Sequence, residues 1–243
     1  MEQGTAIVTG GGKRVGRVLA EALLADGWTV VAHVRSNNDE VPAGAIRAVA
    51  DLSDPRCAEP LLAACPSPPR LLVNNAARFA HDDLHAFSAA EFDAHMAVNV
   101  RAPALLTAAF AAAAATDRRD DRLIVNIVDA KLAAPNPDFL SYTLSKAALA
   151  TLTELSARAL AGEGIRVNAI APALMLQSAG QSEQNFAAAH ACNPLRRGVH
   201  PGDVVTALRF LLDSPAITGE VLTLDGGQRF LALARDVQFL DLQ

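Results

Sequence analysis

The chain has little of what a disulfide framework, a metal centre, a nucleic-acid surface or a membrane span would need. Its three cysteines, Cys57, Cys65 and Cys192, are odd in number and show no metal-ligand spacing. That suits a reducing compartment and inert thiols. The six histidines are scattered, and His81, His85 and His95 are too irregular to set a metal triad on one helix, so solvated or capping roles and no metal are expected. Basic residues number 21 against 26 acidic ones, a net charge of -5, with no basic patch to meet a phosphate backbone. Nucleic acid is therefore not an expected partner. Arg118, Arg119 and Arg122 alternate with Asp117, Asp120 and Asp121, a run that reads as a solvated loop. No apolar stretch reaches spanning length without interruption, and Met1-Glu2-Gln3 leads into a strand rather than a basic leader. The expectation is a cytoplasmic protein with no membrane partner.

What is present is apolar bulk: 51% of the 243 residues are hydrophobic and 19% charged, enough for one α/β domain with a large core. Thr5 to Thr9 is a short β-type run followed at once by Gly10-Gly11-Gly12-Lys13-Arg14-Val15-Gly16. Val15, Val18, Leu19, Ala22, Leu23 and Leu24 then recur at helical spacing until Asp26-Gly27. Trp28 to Val34 is a second strand at the distance a βαβ unit requires. Strand, glycine turn and helix in this order let backbone amides approach a pyrophosphate. After the second strand stands His33-Val34-Arg35-Ser36 instead of the acidic residue that usually binds a ribose hydroxyl. A guanidinium and a hydroxyl suit a 2′-phosphate, so NADPH is the implied cofactor. Asp39 and Glu40 lie beyond two asparagines that read as loop.

Ala45 to Ala50 reads as a third strand ending at Asp51-Leu52, Pro55 to Cys65 as a short helix, and Leu71-Leu72-Val73 as a fourth strand. The fourth runs into Asn74-Asn75-Ala76-Ala77-Arg78-Phe79, a turn shaped by side-chain hydrogen bonds. A long helix is expected from about Glu91 into Ala111 to Ala115. Leu123 to Val128 is a fifth strand that delivers Asp129 at its C-terminal end, where open α/β sheets bind ligands. Thirteen residues on stands Tyr142, followed at i+4 by Lys146. That spacing sets phenol and ammonium on one helix face, where the cation favours phenolate. Moving a phenol from about 10 to near 7 needs roughly 4 kcal/mol. Ala173 to Asn193 is polar and alanine-rich, a substrate lid ending at Pro194 to Gly198. Pro201 to Leu212 is a helix and Val221 to Leu224 the last strand. The apolar tail, with Phe230, Leu231, Leu233, Val237, Phe239, Leu240 and Leu242, is expected to dock on a neighbouring subunit.

Thr9-Gly10 with Gly16, Asn74-Asn75-Ala76, Asn99, Tyr142-x-x-x-Lys146, Arg166 to Pro172 and Leu224-Asp225-Gly226-Gly227 occur together and in order. As a set they resemble the short-chain dehydrogenase/reductases over nearly the whole chain. The resemblance implies a Rossmann-type, doubly wound parallel sheet of seven strands in the order 3-2-1-4-5-6-7, a single domain over 1–243 with the lid at about 173–198 and a tail at about 228–243, and a homotetramer. It implies NADPH or NADP held by Gly10, Lys13, Arg14, Val15, Gly16, His33, Arg35, Ser36, Asp51, Leu52, Asn75, Ala76, Ala77, Tyr142, Lys146 and Pro172.

Two departures from the common pattern carry information. Asp129 stands where most of the family has a serine, and Arg14 where it has the middle glycine of the turn. Gly12 to Gly16 and Val128-Asp129-Ala130 are similar to the pteridine reductases and the dihydromonapterin or dihydrofolate reductases. In those enzymes an aromatic four residues after the second asparagine, here Phe79, stacks the pterin. Ala77 replaces a serine that often contacts the pterin, and Arg78 follows it, so contacts in that loop must differ. The resemblance thus implies NADPH-dependent reduction of a small-molecule pterin-type substrate. Tyr142 is the expected proton donor, with Lys146 lowering its pKa and holding the ribose, and Asn99 supporting a water relay. Asp129 orients substrate and Tyr142, Arg14 meets both phosphate and pterin, and Phe79, Leu174 and Leu176 form the substrate wall. Asp129 as a mere cap of local backbone is the plainer reading of that residue. The alternatives are a carbonyl or 3-oxoacyl reductase and, in another class, a non-catalytic NADPH-binding sensor.

Overall fold

The computed structural model describes residues 3–115, 121–178 and 181–240. Seven strands, β1 Thr5–Val8, β2 Thr29–Val34, β3 Ile46–Val49, β4 Pro69–Asn74, β5 Arg122–Ile127, β6 Ile165–Pro172 and β7 Val221–Leu224, form one sheet in the order β3-β2-β1-β4-β5-β6-β7. Every neighbouring pair is parallel. The expected order is therefore the observed one. Between strands run the helices α1 Arg14–Ala25, α2 Ala58–Ala63, α3 Ala89–Met96, α4 Ala102–Ala114, α5 Leu140–Leu160, α6 Glu183–His190 and α7 Pro201–Asp213.

Alternation of side chains along the central strands divides the core into two layers. Ala6 and Val8 of β1, Leu71 and Val73 of β4, and Leu123 and Val125 of β5 face α1 and α7 through Leu19, Leu23, Leu208 and Leu211. Ile7, Leu72 and Ile124, one residue out of phase, face α2 and α4 through Leu61, Leu106 and Phe110. Phe110 is fully buried, so Phe110→Ala should remove about 3–5 kcal/mol of stability. Both faces of the sheet are covered, which explains strands that read as continuous apolar runs.

The long helix departs from expectation in one respect. It starts at Ala89, capped by the Ser88 side chain, and a π-helical turn over Ala97–Arg101 separates α3 from α4. By length and composition Ala89–Ala114 could cross a membrane. The interruptions that argued against a span do not prevent that match. In this fold Ala102, Leu106, Phe110 and Ala114 pack into the core. The charged run before β5 also differs from a solvated loop at its end. Arg122 is the first, fully buried residue of β5, and Asp121 pairs with the buried Arg166 at 2.7 Å. Asp117, Arg118, Arg119 and Asp120 lie outside the described residues, as do Met1, Glu2 and Leu242.

The C-terminal ends of β1, β4, β5 and β6 collect on one edge, because their registers are aligned at Val8 with Val73, Asn74 with Asn126 and Ile127 with Ile170. Asn74 Nδ2 donates to Asn126 Oδ1 at 2.8 Å, and Asn126 Nδ2 donates to Thr153 Oγ1 at 2.9 Å. That buried ladder ties α5, and the side chains it carries, to the middle of the sheet.

Candidate active site

The glycine turn between β1 and α1 bends as sharply as its composition implies. Gly10 has φ of +65°, and a side chain on Gly16 would stand 2.1 Å from the Gly10 carbonyl oxygen. Arg14 also adopts a left-handed backbone, φ 51°, consistent with its standing where a glycine is usual. Lys13, the N-cap of α1, makes no side-chain cap bond and the first turn holds no acidic residue, so the positive end of the helix is left for an anion. The Arg14 guanidinium donates to the carbonyls of Gln177 at 3.2 Å and Leu176 at 3.5 Å, tying the turn to the lid segment.

His33 supports this turn from below. Its Nδ1 accepts from the Gly10 N–H at 3.0 Å while Nε2 meets the Ala50 carbonyl at 3.1 Å, which requires the neutral ring with the proton on Nε2. Burial holds its pKa below the usual histidine value. Arg35 and Asp51 line the cavity beyond it, but Ser36 does not. Ser36 instead closes its own turn, its hydroxyl accepting from Asn38 N–H at 3.2 Å and its N–H donating to Asp39 at 2.9 Å. Asp39, read as remote loop, sits on the cavity wall beside Arg35.

The Asn74 to Phe79 turn is built from the hydrogen bonds its composition suggested. Thr9 Oγ1 accepts from the N–H of Asn75 at 2.9 Å and of Ala76 at 3.0 Å, while Asn75 Nδ2 returns a bond to the Thr9 carbonyl at 2.9 Å. Asn99 stands in the π-helical turn. It accepts from Arg78 N–H at 2.8 Å and donates to the Arg78 carbonyl at 3.0 Å and Ser145 Oγ at 2.9 Å. It is fully buried and clamps the loop to α5 instead of facing the cavity. The Arg78 guanidinium is held by Glu91 at 2.7 Å, at the cavity wall that Arg78 helps to line.

Asp129 and Tyr142 are the buried centre of the site. The phenol donates to Asp129 Oδ2 at 2.8 Å, while Asp129 Oδ1 accepts the Lys131 N–H at 2.9 Å. Asp129 is therefore both a backbone cap and the partner of Tyr142. Burial pushes its carboxyl above the usual carboxylate range, the Lys131 and Tyr142 bonds opposing this. Tyr142 moves in the direction opposite to expectation. Burial, then the Asp129 carboxylate, raise the phenol well above its ordinary value. Lys146 does not offset this, because its ammonium donates to the Ile127 carbonyl at 2.6 Å and lies 5.7 Å from the ring centroid. Its own pKa is pulled down to about 8 by burial. The chemistry available is that of a carboxyl–phenol pair that retains a proton, with a cation alongside.

Phe79 is half exposed, stacks on Phe139 with centroids 4.5 Å apart and meets Tyr142 edge-on at 4.8 Å. Phe139, unsuspected from sequence, has a left-handed backbone at the start of α5, φ 55°. Its other neighbour comes from the tail. Phe239 stacks on Phe139 at 5.7 Å, and Val237 is buried. The end of the tail thus packs on the site of its own chain, and of the apolar residues expected to need an outside cover, Phe230, Leu231 and Phe239 remain exposed. His81 also packs edge-on against Phe139 and Phe239, and His95 is fully buried with Nδ1 on the Glu91 carbonyl. His81 is nonetheless exposed, so of the two only His95 departs from a solvated role.

Residues 12–229 match the family model described as enoyl-(acyl carrier protein) reductase. The chain belongs to the short-chain dehydrogenase/reductase family. Within it, L-xylulose reductase of Bos taurus is 33% identical over 93% of this chain and 96% of that protein. The Eggerthella lenta 3beta-hydroxysteroid dehydrogenase 1 is 31% identical over 92% of each. Among solved structures, FolM alternative dihydrofolate reductase 1 from Brucella canis, complexed with NADP, superposes with a TM-score of 0.86 at 35% identity, covering 93% of this chain and 94% of that one.

In this short-chain dehydrogenase/reductase a single cavity of about 1590 Å³ runs from the glycine turn to the tail, larger than the 300–1,000 Å³ of ordinary small-ligand pockets and so roomy enough for a dinucleotide and a second molecule. Along it lie Gly10, Lys13, Arg14, Val15, Gly16, His33, Arg35, Asp51, Leu52, Asn75, Ala76, Ala77, Tyr142, Lys146 and Pro172, together with Phe79, Asp129, Leu174 and Leu176. The uncapped helix end and the glycine approach fit a pyrophosphate. The cysteines stay outside this chemistry: burial raises the Cys57 thiol and pushes Cys65 up to about 11.

Proposed function

We propose that this enzyme reduces a pterin-type ring, a dihydropterin, dihydromonapterin or dihydrofolate, to its tetrahydro form at the expense of NADPH. The observation that carries the reading is the buried hydrogen bond from Tyr142 to Asp129 beside the half-exposed ring of Phe79. NADPH, when bound, supplies the hydride. Lys13, Arg14 and Arg35 would hold its phosphates, Asp51 and Leu52 would flank the adenine end, and Lys146 with Tyr142 would face the nicotinamide ribose. Asp51 keeps its carboxyl ionised for such contacts, held low by Ser53 N–H and Oγ bonds.

The chain's own residues then have distinct tasks. Phe79 offers one face to a flat ring, and Leu174 and Leu176 line the same cavity. Tyr142 is the proton donor to a ring nitrogen, its proton replaced from Asp129, whose carboxyl burial keeps protonated more readily than an exposed one. A carbonyl substrate needs only the phenol. A ring carrying several nitrogens uses the carboxyl as well, as acceptor for its N–H groups and as proton reserve. The identity to a dihydrofolate reductase of the same fold supports this choice.

A second reading, reduction of a sugar or steroid carbonyl, is favoured by the relatives at 31–33% identity. A substrate panel separates the two. NADPH oxidation with a dihydropterin and little with xylulose or a steroid ketone is the expected result, and the reverse preference would replace the pterin reading. NADPH bound with no substrate turned over would leave a sensor.

A further inference from the structure

The tail of this chain brings a second carboxylate to the site. Asp236 lines the cavity together with Leu233, Val237, Gln238 and Phe239. The segment is fastened independently of the Asp236 side chain. Arg235 donates to both oxygens of the buried Asp138 carboxylate, at 3.0 and 2.8 Å, and the Asp236 N–H adds a third bond at 2.7 Å. Phe239 completes the fastening by stacking on Phe139. These contacts join residues about a hundred positions apart and leave the strap lying against the loop that follows Asp129.

Lys131 Nζ donates to the Asp138 carbonyl and lies 3.5 Å from Asp236 Oδ2, so the local ammonium is already committed. Asp236 Oδ1 takes the Gln238 N–H at 3.1 Å. Acceptor capacity faces the cavity here in the remaining lone pairs of Asp236, in Asp129, and in the Asn136 side-chain oxygen, which is shielded from solvent and has no hydrogen-bond partner among the described residues, while Lys131, Arg229 and Gln238 line the same cavity as donors. Asp236 is also close enough for its charge to be felt at both Asp129 and Tyr142.

We infer that Asp236 is a specificity-determining residue that binds the N–H edge of an aminopyrimidine-type ring, the tail acting as a strap that sets this carboxylate over the site. The inference rests on the pterin reading for the identity of the ring, and on the acceptor-rich wall for the preference for N–H donors. A carboxylate at this place accepts charge-assisted hydrogen bonds from an amino or ring N–H and repels a substrate with its own carboxylate near the reacting atom.

The test compares the parent with Asp236→Asn, which keeps the shape, the Gln238 cap and every bond to Asp138. Steady-state kinetics are measured with dihydrobiopterin and with phenanthrenequinone, a flat ring without N–H groups, and calorimetry of the NADP-loaded protein measures binding of diaminopyrimidine. Replacing a charged acceptor by a neutral one should raise KM for dihydrobiopterin by about tenfold or more with a smaller change in kcat, lower the kcat/KM ratio of dihydrobiopterin to the quinone by a similar factor, and weaken diaminopyrimidine about tenfold. Equal losses with both substrates, or a diaminopyrimidine affinity that is absent in the parent or the same in the variant, would overturn the inference. If the parent fails to reduce dihydrobiopterin yet binds diaminopyrimidine more tightly than the variant does, the pterin reading falls and the role of Asp236 stands.

Discussion

His33→Ala offers a sharp test of how the cofactor end is built, because one ring holds two backbone groups that nothing else in its surroundings replaces. The substitution strips the acceptor from the Gly10 N–H at 3.0 Å and the donor from the Ala50 carbonyl at 3.1 Å. Each buried group left without a partner costs about 1–3 kcal/mol, and Gly10 is only partly buried, so the total should be about 2–4 kcal/mol. For a chain of this length that is a fall in Tm of about 5–15 °C. NADPH affinity should fall with it, since the turn that presents the α1 amides loses its support. The pH dependence carries a definite sign. Burial depresses the folded-state pKa of His33, so the unfolded chain binds the proton more readily, and stability rises with pH. The contribution is complete above the ordinary histidine value of about 6.5 and is lost as pH falls below it toward the depressed value. Thermal unfolding of parent and variant between about pH 8 and pH 5 should show a gap that narrows on acidification, the parent losing the larger share. A gap of constant size, or a variant with undiminished Tm and NADPH affinity, would refute the support assigned to this ring.

Asp129→Asn should raise Tm at about pH 8 and change it little at about pH 4, since a carboxyl whose folded pKa is raised contributes fully below the ordinary value of about 4 and loses that contribution as pH rises through the raised one; calorimetry across this range checks it, and a loss of Tm at pH 8 would contradict the direction. Arg35→Ala should weaken NADPH by one to two decades, about 1.5–3 kcal/mol, and leave NADH nearly unaffected, as read by fluorescence titration. Parity of the two cofactors in the parent would remove the basis for NADPH preference. A homotetramer of the 25.4 kDa chain is expected from the exposed Phe230 and Leu231, and light scattering that reports a monomer at micromolar concentration would count against it.

The sheet was legible because its information is local. Continuous apolar runs bounded by glycine, proline and asparagine mark β1 to β5 and β7 to within a residue or two, β6 entering only as the Arg166 to Pro172 motif, and the glycine turn, Asp129 and Tyr142 follow from their positions at strand ends and helix starts. What escaped has physical reasons. Arg122 looked solvated because charges alternate around it, and only the pairing of β5 shows it buried. The direction of the Tyr142 shift depends on where the Lys146 ammonium points, and an i, i+4 spacing permits contact with the phenol without requiring it. The joining of Asp138 to Arg235 spans 97 positions, and no periodicity reports such a contact. Phe139 lies outside any repeating pattern, since its left-handed backbone belongs to a junction. The tail offered only its apolar side chains to inspection, which cannot distinguish cover by a neighbour from cover by the chain's own active site.

Asp129→Ser bears most directly on the central claim, because serine is the residue usual at this place in the family and removes only the carboxyl. Loss of a positioned proton source should lower kcat for dihydropterin reduction by about 10²–10⁴-fold while NADPH affinity and fold are retained. A serine variant that reduces dihydropterins as fast as the parent, with Tyr142→Phe still inactive, would contradict the role of Asp129 and leave carbonyl reduction as the activity of this site.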